Sequence, residues 1–367
     1  MNIWNCELNI SHSEKVIWTQ QIGEPARWFR YALGSREVCF EFFNEFKDWF
    51  EKGYTIGIDN SHEAFNLENI NSEVNEEKDE DENFLEWIYD YETKNPSSKN
   101  KIQLWVGDLN CGNNVRPEFK HIVHSKITFN RLIPPVSDGG LIENRKFDKK
   151  FLYLNARIDY RDYRIALYTL MKSFNILDNC YYSFNARNES NTYKQILLEN
   201  IDTSGLNLND FEQIFYSETN DHYTKSFCNI TTESYFDEKY QNRSDGMFFM
   251  SEKIFKPLIK QQPFIIIGKQ NYLQGLRELG FKTFSDFWDE SYDLEEKGDV
   301  RLSKIINVIK DINNKDISEL ESIYNKMIPI LKHNFKHAFA ITKLNKNYST
   351  PDVEDTIKSE VLFKLMN

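Results

Sequence analysis

The run Ser251-Glu252-Lys253-Ile254-Phe255-Lys256-Pro257-Leu258, followed by Pro263-Phe264-Ile265-Ile266-Ile267-Gly268, sets a carboxylate and an ammonium side by side where a helix should begin. Ser251 can cap that helix and Glu252 suits its first turn. Lys253 does not, because a cation near the positive end of a helix dipole costs stability unless an anion neutralises it. A carboxylate for ribose hydroxyls and an ammonium for a diphosphate would fit a bound nucleotide. By charge pattern alone the better fit is an ordinary amphipathic helix that packs Ile254, Phe255, Leu258 and Ile259 and turns its charges to water. Pro257 lies too deep to be a first-turn proline and is expected to kink the helix or mark a shorter first turn.

A second group is Asn155-Ala156-Arg157-Ile158-Asp159-Tyr160-Arg161-Asp162-Tyr163-Arg164. Arginines at 157, 161 and 164 share a face if the segment is helical, and guanidinium forks suit phosphate. A helix starting at Asp162 would add main-chain donors. The competing reading is a surface face balanced by Asp159 and Asp162.

Other reactive side chains form no recognisable set. His121 and His124 are three apart without obvious partners, and His333 and His337 share a face of a terminal helix, where exposure to solvent is expected. Five scattered cysteines (Cys6, Cys39, Cys111, Cys180, Cys228) include no C-x-x-C pair, which argues against a disulfide framework or a zinc cluster. There is no G-x-x-x-x-G-K-[ST] loop and no G-x-G-x-x-G fingerprint, which disfavours P-loop and nicotinamide-cofactor readings.

Position is what gives these groups meaning, and the elements that must supply it can be read from hydrophobic pattern. Phe151-Leu152-Tyr153-Leu154-Asn155 reads as a buried strand, Asp162 onwards as a helix with Ile165, Tyr168, Leu170, Met171 and Phe174 inward, and Tyr181–Phe184 as a second strand. Strand, helix and strand at this spacing predict a parallel pair. The pattern returns at Phe227–Ile230, the Ser251 helix, Phe264–Ile267, a helix over Asn271–Leu279 stopped by Gly280, and a strand over Phe281–Phe284. Both groups then fall at strand carboxyl ends, where ligands bind in open α/β sheets. Residues Val300 to Asn345 read as mainly helical, packing back across the domains.

The first part of the chain is less regular. Trp28 to Phe50 carries helical spacing, Tyr54–Ile58 reads as a strand, Phe84–Tyr91 as a helix, and Lys101–Val106 as a strand broken by Gly107–Gly112. Pro134-Pro135 and Gly139-Gly140 mark an interdomain connection. The expected domains are 1–145, 146–340 and a tail over 341–367.

A chain of 367 residues with 40% hydrophobic content is long enough for two cores, since single cores tend to split beyond about 250–300 residues. The net charge of -12 disfavours nucleic acid as a general partner, because such binding depends on neutralising phosphates. Much of the acidity lies between Glu68 and Glu92, read as a solvated insertion near 68–82. The first residues lack the pattern of an export signal, and no run approaches the about 18 apolar residues of a membrane span, so a cytoplasmic protein is expected. The 28 Phe and 19 Tyr carry little functional weight.

Phe249 to Leu258, Gln262 to Gly268 and Leu276-Arg277-Glu278-Leu279-Gly280-Phe281-Lys282-Thr283-Phe284 resemble the C-terminal part of glycosyltransferase-like proteins of phages and large viruses. More distantly they are similar to the T-E-K segment of α1,3-fucosyltransferases, which have the GT-B fold of two Rossmann-like domains. The phage-type resemblance runs from about Phe151 to about His337, with Ser251 in place of the usual threonine, and the first 140 residues carry none. It implies a GT-B-like α/β fold with parallel sheets facing a cleft. It also implies Glu252 on ribose, Lys253 on phosphate, and Arg157 or Arg164 as the arginine partner.

The reading is therefore a glycosyltransferase that moves a sugar from a UDP- or GDP-type donor to an acceptor that is a glycan, a protein or a modified DNA base. The arginines and Lys253 can stabilise the departing diphosphate, so metal-independent transfer with no cofactor beyond the sugar nucleotide is expected. The acceptor hydroxyl needs a base from a strand-end loop of the first domain, where Asp59, His62, Asp108 and His124 are candidates, and Asp108 and His124 are carried forward as the catalytic assignment. The rival is a non-catalytic nucleotide-binding or sequestering protein, such as a viral counter-defence factor.

Overall fold

The computed structural model describes residues 6–13, 15–21, 36–60, 80–106, 117–125, 145–155, 162–184, 220–236 and 248–344. The expected interdomain connection, residues 68–79 of the acidic insertion, the Gly107–Gly112 loop and residues 345–367 of the tail lie outside these, while residues 80–82 open a helix and 341–344 end one. The chain is α/β and divides into two compact units, each built on its own sheet.

The first unit carries strands β1 (Cys6–Ser11), β2 (Val16–Gln21), β3 (Thr55–Asn60), β4 (Ile102–Val106) and β5 (Val123–Ser125), in that spatial order. β1 and β2 are antiparallel and all other neighbours are parallel. Helices α1 (Arg36–Asn44) and α2 (Lys47–Glu51) link β2 to β3, and α3 (Glu80–Lys94) lies between β3 and β4. Strand period and helix period meet in one core: Ile17, Ile56, Ile58, Ile102, Leu104 and Val106 alternate onto the face that buries Phe42, Phe43, Phe50, Leu85 and Ile88. The β1–β2 hairpin is a difference from the sequence reading, which placed no strand before residue 54. Its pairing sets Ile10 opposite Ile17 and Ser11 opposite Val16.

On the opposite sheet face, Gly57 lies between Trp18 and Gln103. A Cβ on Gly57 would come within 2.5 Å of the Trp18 ring, so the missing side chain is what lets that indole lie on the sheet.

The second unit holds β6 (Lys149–Asn155), β7 (Cys180–Phe184), β8 (Ser226–Thr232) and β9 (Phe264–Ile267) in the order β7-β6-β8-β9, all parallel. Every residue of β8 and β9 is buried, as expected for parallel strands covered on both faces. Helix α4 (Asp162–Ser173) connects β6 to β7, the short α5 (Asn220–Thr224) leads into β8, and α6 (Glu252–Ile259) connects β8 to β9. Right-handed crossovers running in opposite directions from the centre place α4 and α6 on opposite faces. Helices α7 (Tyr272–Glu278), α8 (Gly298–Asn313) and α9 (Ile317–Leu344) complete the layers, α8 beside α4 and α9 beside α6. The order in which strands are added reverses between β6 and β8, so the carboxyl ends of those two parallel strands form the switch point.

Phe281–Phe284 is not a strand. Its main-chain groups are satisfied without a sheet neighbour: Lys282 N–H and C=O pair with the Asn334 amide of α9, at 2.8 Å each, Phe284 N–H donates to Glu290 at 2.7 Å, and Phe281 N–H donates to the Leu276 carbonyl at 3.0 Å. Pro257 does not end α6, which continues two residues past it. The helix closes with Gln261 at φ 53° and bonds from Gln262 N–H to the Pro257 carbonyl and from Gln261 N–H to the Leu258 carbonyl. His333 and His337 are half-buried and bond to the carbonyls of Gly280 and Leu279, so they make contacts within the fold as well as being partly exposed.

Candidate functional site

Among the described residues, three of the sequence-predicted nucleotide-binding residues, Arg164, Ser251 and Lys253, meet at the carboxyl end of β8, beside the switch point. Ser251 is the N-cap of α6 in an extended conformation, and its Oγ accepts the Lys253 N–H at 3.2 Å. The same hydroxyl donates to Glu233 Oε2 at 2.6 Å. Glu233 directly follows β8 and is 2% exposed. Its second carboxylate oxygen accepts from the Tyr272 hydroxyl at 2.9 Å. The Lys253 ammonium reaches back over this cap, 3.4 Å from Ser251 Oγ and 3.5 Å from Ser234 Oγ. The end of α6 that carries the positive pole of its dipole thus bears a lysine side chain and lies against a buried carboxylate.

The main chain at the end of β8 is held from three sides. Glu233 N–H donates to the Ile267 carbonyl at 2.9 Å, extending the β8–β9 pairing by one residue. The Glu233 carbonyl accepts from the Tyr163 hydroxyl and from Arg164 Nη2, the latter at 3.0 Å. Arg164 Nη2 also donates to the Thr232 carbonyl at 2.9 Å. Further along the loop, the Phe236 ring lies between the Tyr163 ring, stacked at 5.0 Å, and the Arg301 guanidinium, 4.6 Å from its centroid. Arg301 additionally donates to the carbonyls of Phe236, Glu295 and Glu296. Two buried guanidiniums therefore fix the course of residues 232–236.

Tyr272 is placed by its helix. Both oxygens of Asp293 accept amides of the first turn of α7, from Leu273 at 2.8 Å and Gln274 at 2.9 Å, and the Asp293 carbonyl accepts from Asn271. Burial pushes the Asp293 carboxyl above its usual value, against the pull of those two amides. Gly268 completes the fit, since a Cβ there would approach the Tyr272 ring to 3.2 Å. At the far end of α6, Arg145 donates to the carbonyls of Lys260 and Gln261, at 2.7 and 3.3 Å, over the face of Tyr324.

Of the sequence-predicted residues, Arg164, Ser251 and Lys253 converge around Glu233. Arg164 is 2% exposed and faces main-chain carbonyls. Glu252 is the first residue of α6, and its side chain lies outside the description. Arg157, Asp108 and His62 also lie outside the described residues. His124 is the middle residue of β5, paired with Trp105, and Asp59 is within β3, so neither occupies a loop. Glu233, Tyr272 and Ser234 were not read from the sequence. The available signal for Glu233 was an acidic residue immediately after the buried run Phe227–Thr232.

No family model matches the chain, and no curated protein matches it. Among solved structures it is similar to one described as trehalose-6-phosphate from E. coli bound with UDP-2-fluoro glucose, at 11% sequence identity and a TM-score of 0.43, covering 95% of this chain and 91% of that one.

Proposed function

We propose that the second unit binds a nucleotide-diphosphate sugar at the amino end of α6, and that the chain is a glycosyltransferase of GT-B-like arrangement. One observation carries the reading: the cap of α6, with Lys253, sits at the carboxyl end of β8 beside the switch point, built onto a buried carboxylate. That is where an open parallel sheet receives a ligand, and a helix N-terminus bearing an ammonium favours an anion there, in addition to the Glu233 carboxylate behind the cap. The resemblance of Ser251-Glu252-Lys253 to the fucosyltransferase segment supports the same assignment.

In this reading Lys253 contacts the diphosphate and stabilises it as it departs, and Glu252 engages the ribose. Arg157 is the arginine that approaches the phosphates, while Arg164 holds the β8 end in place. Ser251 shapes the helix end. Asp108 and His124 remain the proposed acceptor-side residues of the first unit. The acceptor is a glycan, a protein or a modified DNA base. The chain's single D-x-D triplet, Asp79-Glu80-Asp81, belongs to the acidic run, and transfer is proposed to proceed without a metal.

The test is to titrate the purified chain with UDP, GDP and their sugar conjugates, following melting temperature and nucleotide release. One nucleotide should raise the melting temperature, and Lys253→Ala should weaken its binding by about tenfold or more, the scale of one charge-assisted contact. Turnover should survive chelation of divalent ions. If neither UDP nor GDP shifts the melting temperature, the donor-site reading fails.

A further inference from the structure

The carboxylate at the centre of the site has no role in the sequence motif. We infer that Glu233 is a positioning residue for the donor diphosphate, acting through Ser251 on the first turn of α6 and on Lys253; this rests on the donor-site reading above.

A serine hydroxyl has one proton and two lone pairs. The Ser251 proton is directed at Glu233 Oε2, at 2.6 Å, while its lone pairs face the Lys253 N–H at 3.2 Å and the Lys253 ammonium at 3.4 Å. Ser251 therefore has no proton for a phosphate oxygen. It transmits the orientation of Glu233 to Lys253. The carboxylate is in turn fixed at its other oxygen by Tyr272, whose ring closes over Gly268, and at its main chain by Ile267, Tyr163 and Arg164. A buried carboxylate adds little net stability over an apolar residue of the same size. What this one supplies is a fixed direction for a cap and an ammonium, which is what tight binding of a diphosphate needs.

The experiment compares full-length wild type with Glu233→Gln, Tyr272→Phe, Ser251→Ala and the Glu233→Gln/Ser251→Ala double variant. Calorimetry measures affinity for UDP or GDP and for the matching nucleoside. Glu233→Gln and Ser251→Ala should each weaken the diphosphate by about tenfold, the scale of one hydrogen bond to a charged group, and leave the nucleoside within about twofold. The double variant should be no weaker than the worse single one, because both cut the same chain of bonds. Equal losses on nucleoside and diphosphate, full additivity, or wild-type affinity in Glu233→Gln would each overturn the inference and leave the donor site standing. Wild type that binds neither nucleotide overturns the donor site and the inference together. If Glu233→Gln does not fold by circular dichroism, Tyr272→Phe, which removes one bond and no charge, decides by the same split between ligands.

Discussion

Replacing Ser251 with alanine should cost more than the loss of an ordinary helix cap. An exposed serine cap contributes about 1 kcal/mol, through the amide that its oxygen accepts. Here the same hydroxyl is also the donor to Glu233 Oε2, in a group only 2% exposed. Taking that donor away leaves a buried carboxylate oxygen under-satisfied, which costs about 1–3 kcal/mol. The expected total is about 2–4 kcal/mol, measured as a fall in the urea midpoint, with faster hydrogen exchange concentrated in the amides of residues 252–260. Ser251→Asp separates the two contributions, since aspartate is among the best capping residues and would stabilise a simple helix start. Against Glu233 it places two carboxylates in contact, so it should destabilise instead. A loss below about 1 kcal/mol for Ser251→Ala, or a stabilising Ser251→Asp, would refute the arrangement.

Four further outcomes follow from local geometry and burial. Gly280 has φ 93°, and a Cβ there would lie 2.8 Å from His337 Nε2, so Gly280→Ala should lower stability by about 2 kcal/mol or more in thermal melts, with only part recovered when His337 is also removed. Gly57→Ala would drive a methyl into Trp18 ring atoms at 2.5, 2.6 and 2.8 Å, costing about 1–3 kcal/mol and changing the near-ultraviolet dichroism of that indole. Burial raises the thiols of Cys39, Cys180 and Cys228 above their usual 9.0, so they should resist a thiol reagent at pH 8 in the folded chain and react once it is unfolded. The same shifts, with Tyr91 and Tyr324 pushed up to about 12, favour the protonated forms in the fold. Their stabilising effect is complete below about pH 9 and should be lost progressively above it; a flat stability profile between pH 8 and 11 would contradict this.

The parts of the fold legible in the sequence are those whose signal is local. The buried runs of β6, β8 and β9, the period of α4 and α3, and the Ser251 cap follow from side-chain alternation and from which residues can accept a first-turn amide. The Phe281–Phe284 run shows where that signal misleads: it is apolar enough for a strand, but Asn334 and Glu290, distant or non-periodic in sequence, claim its main chain. The β1–β2 hairpin was missed for a related reason, as its polar turn and mixed strands carry weak alternation.

From the sequence alone came the α/β class, the position of the α6 cap and the presence of an unfavourable lysine beside it. Only the tertiary structure identified Glu233, because the bonds that define its role join residues 18, 39 and 69 positions away. Such pairs depend on strand order, here β7-β6-β8-β9, which brings the ends of β8 and β9 and the start of α6 together. Local propensity is set by neighbours along the chain, whereas a buried charge is placed by whatever elements close around it.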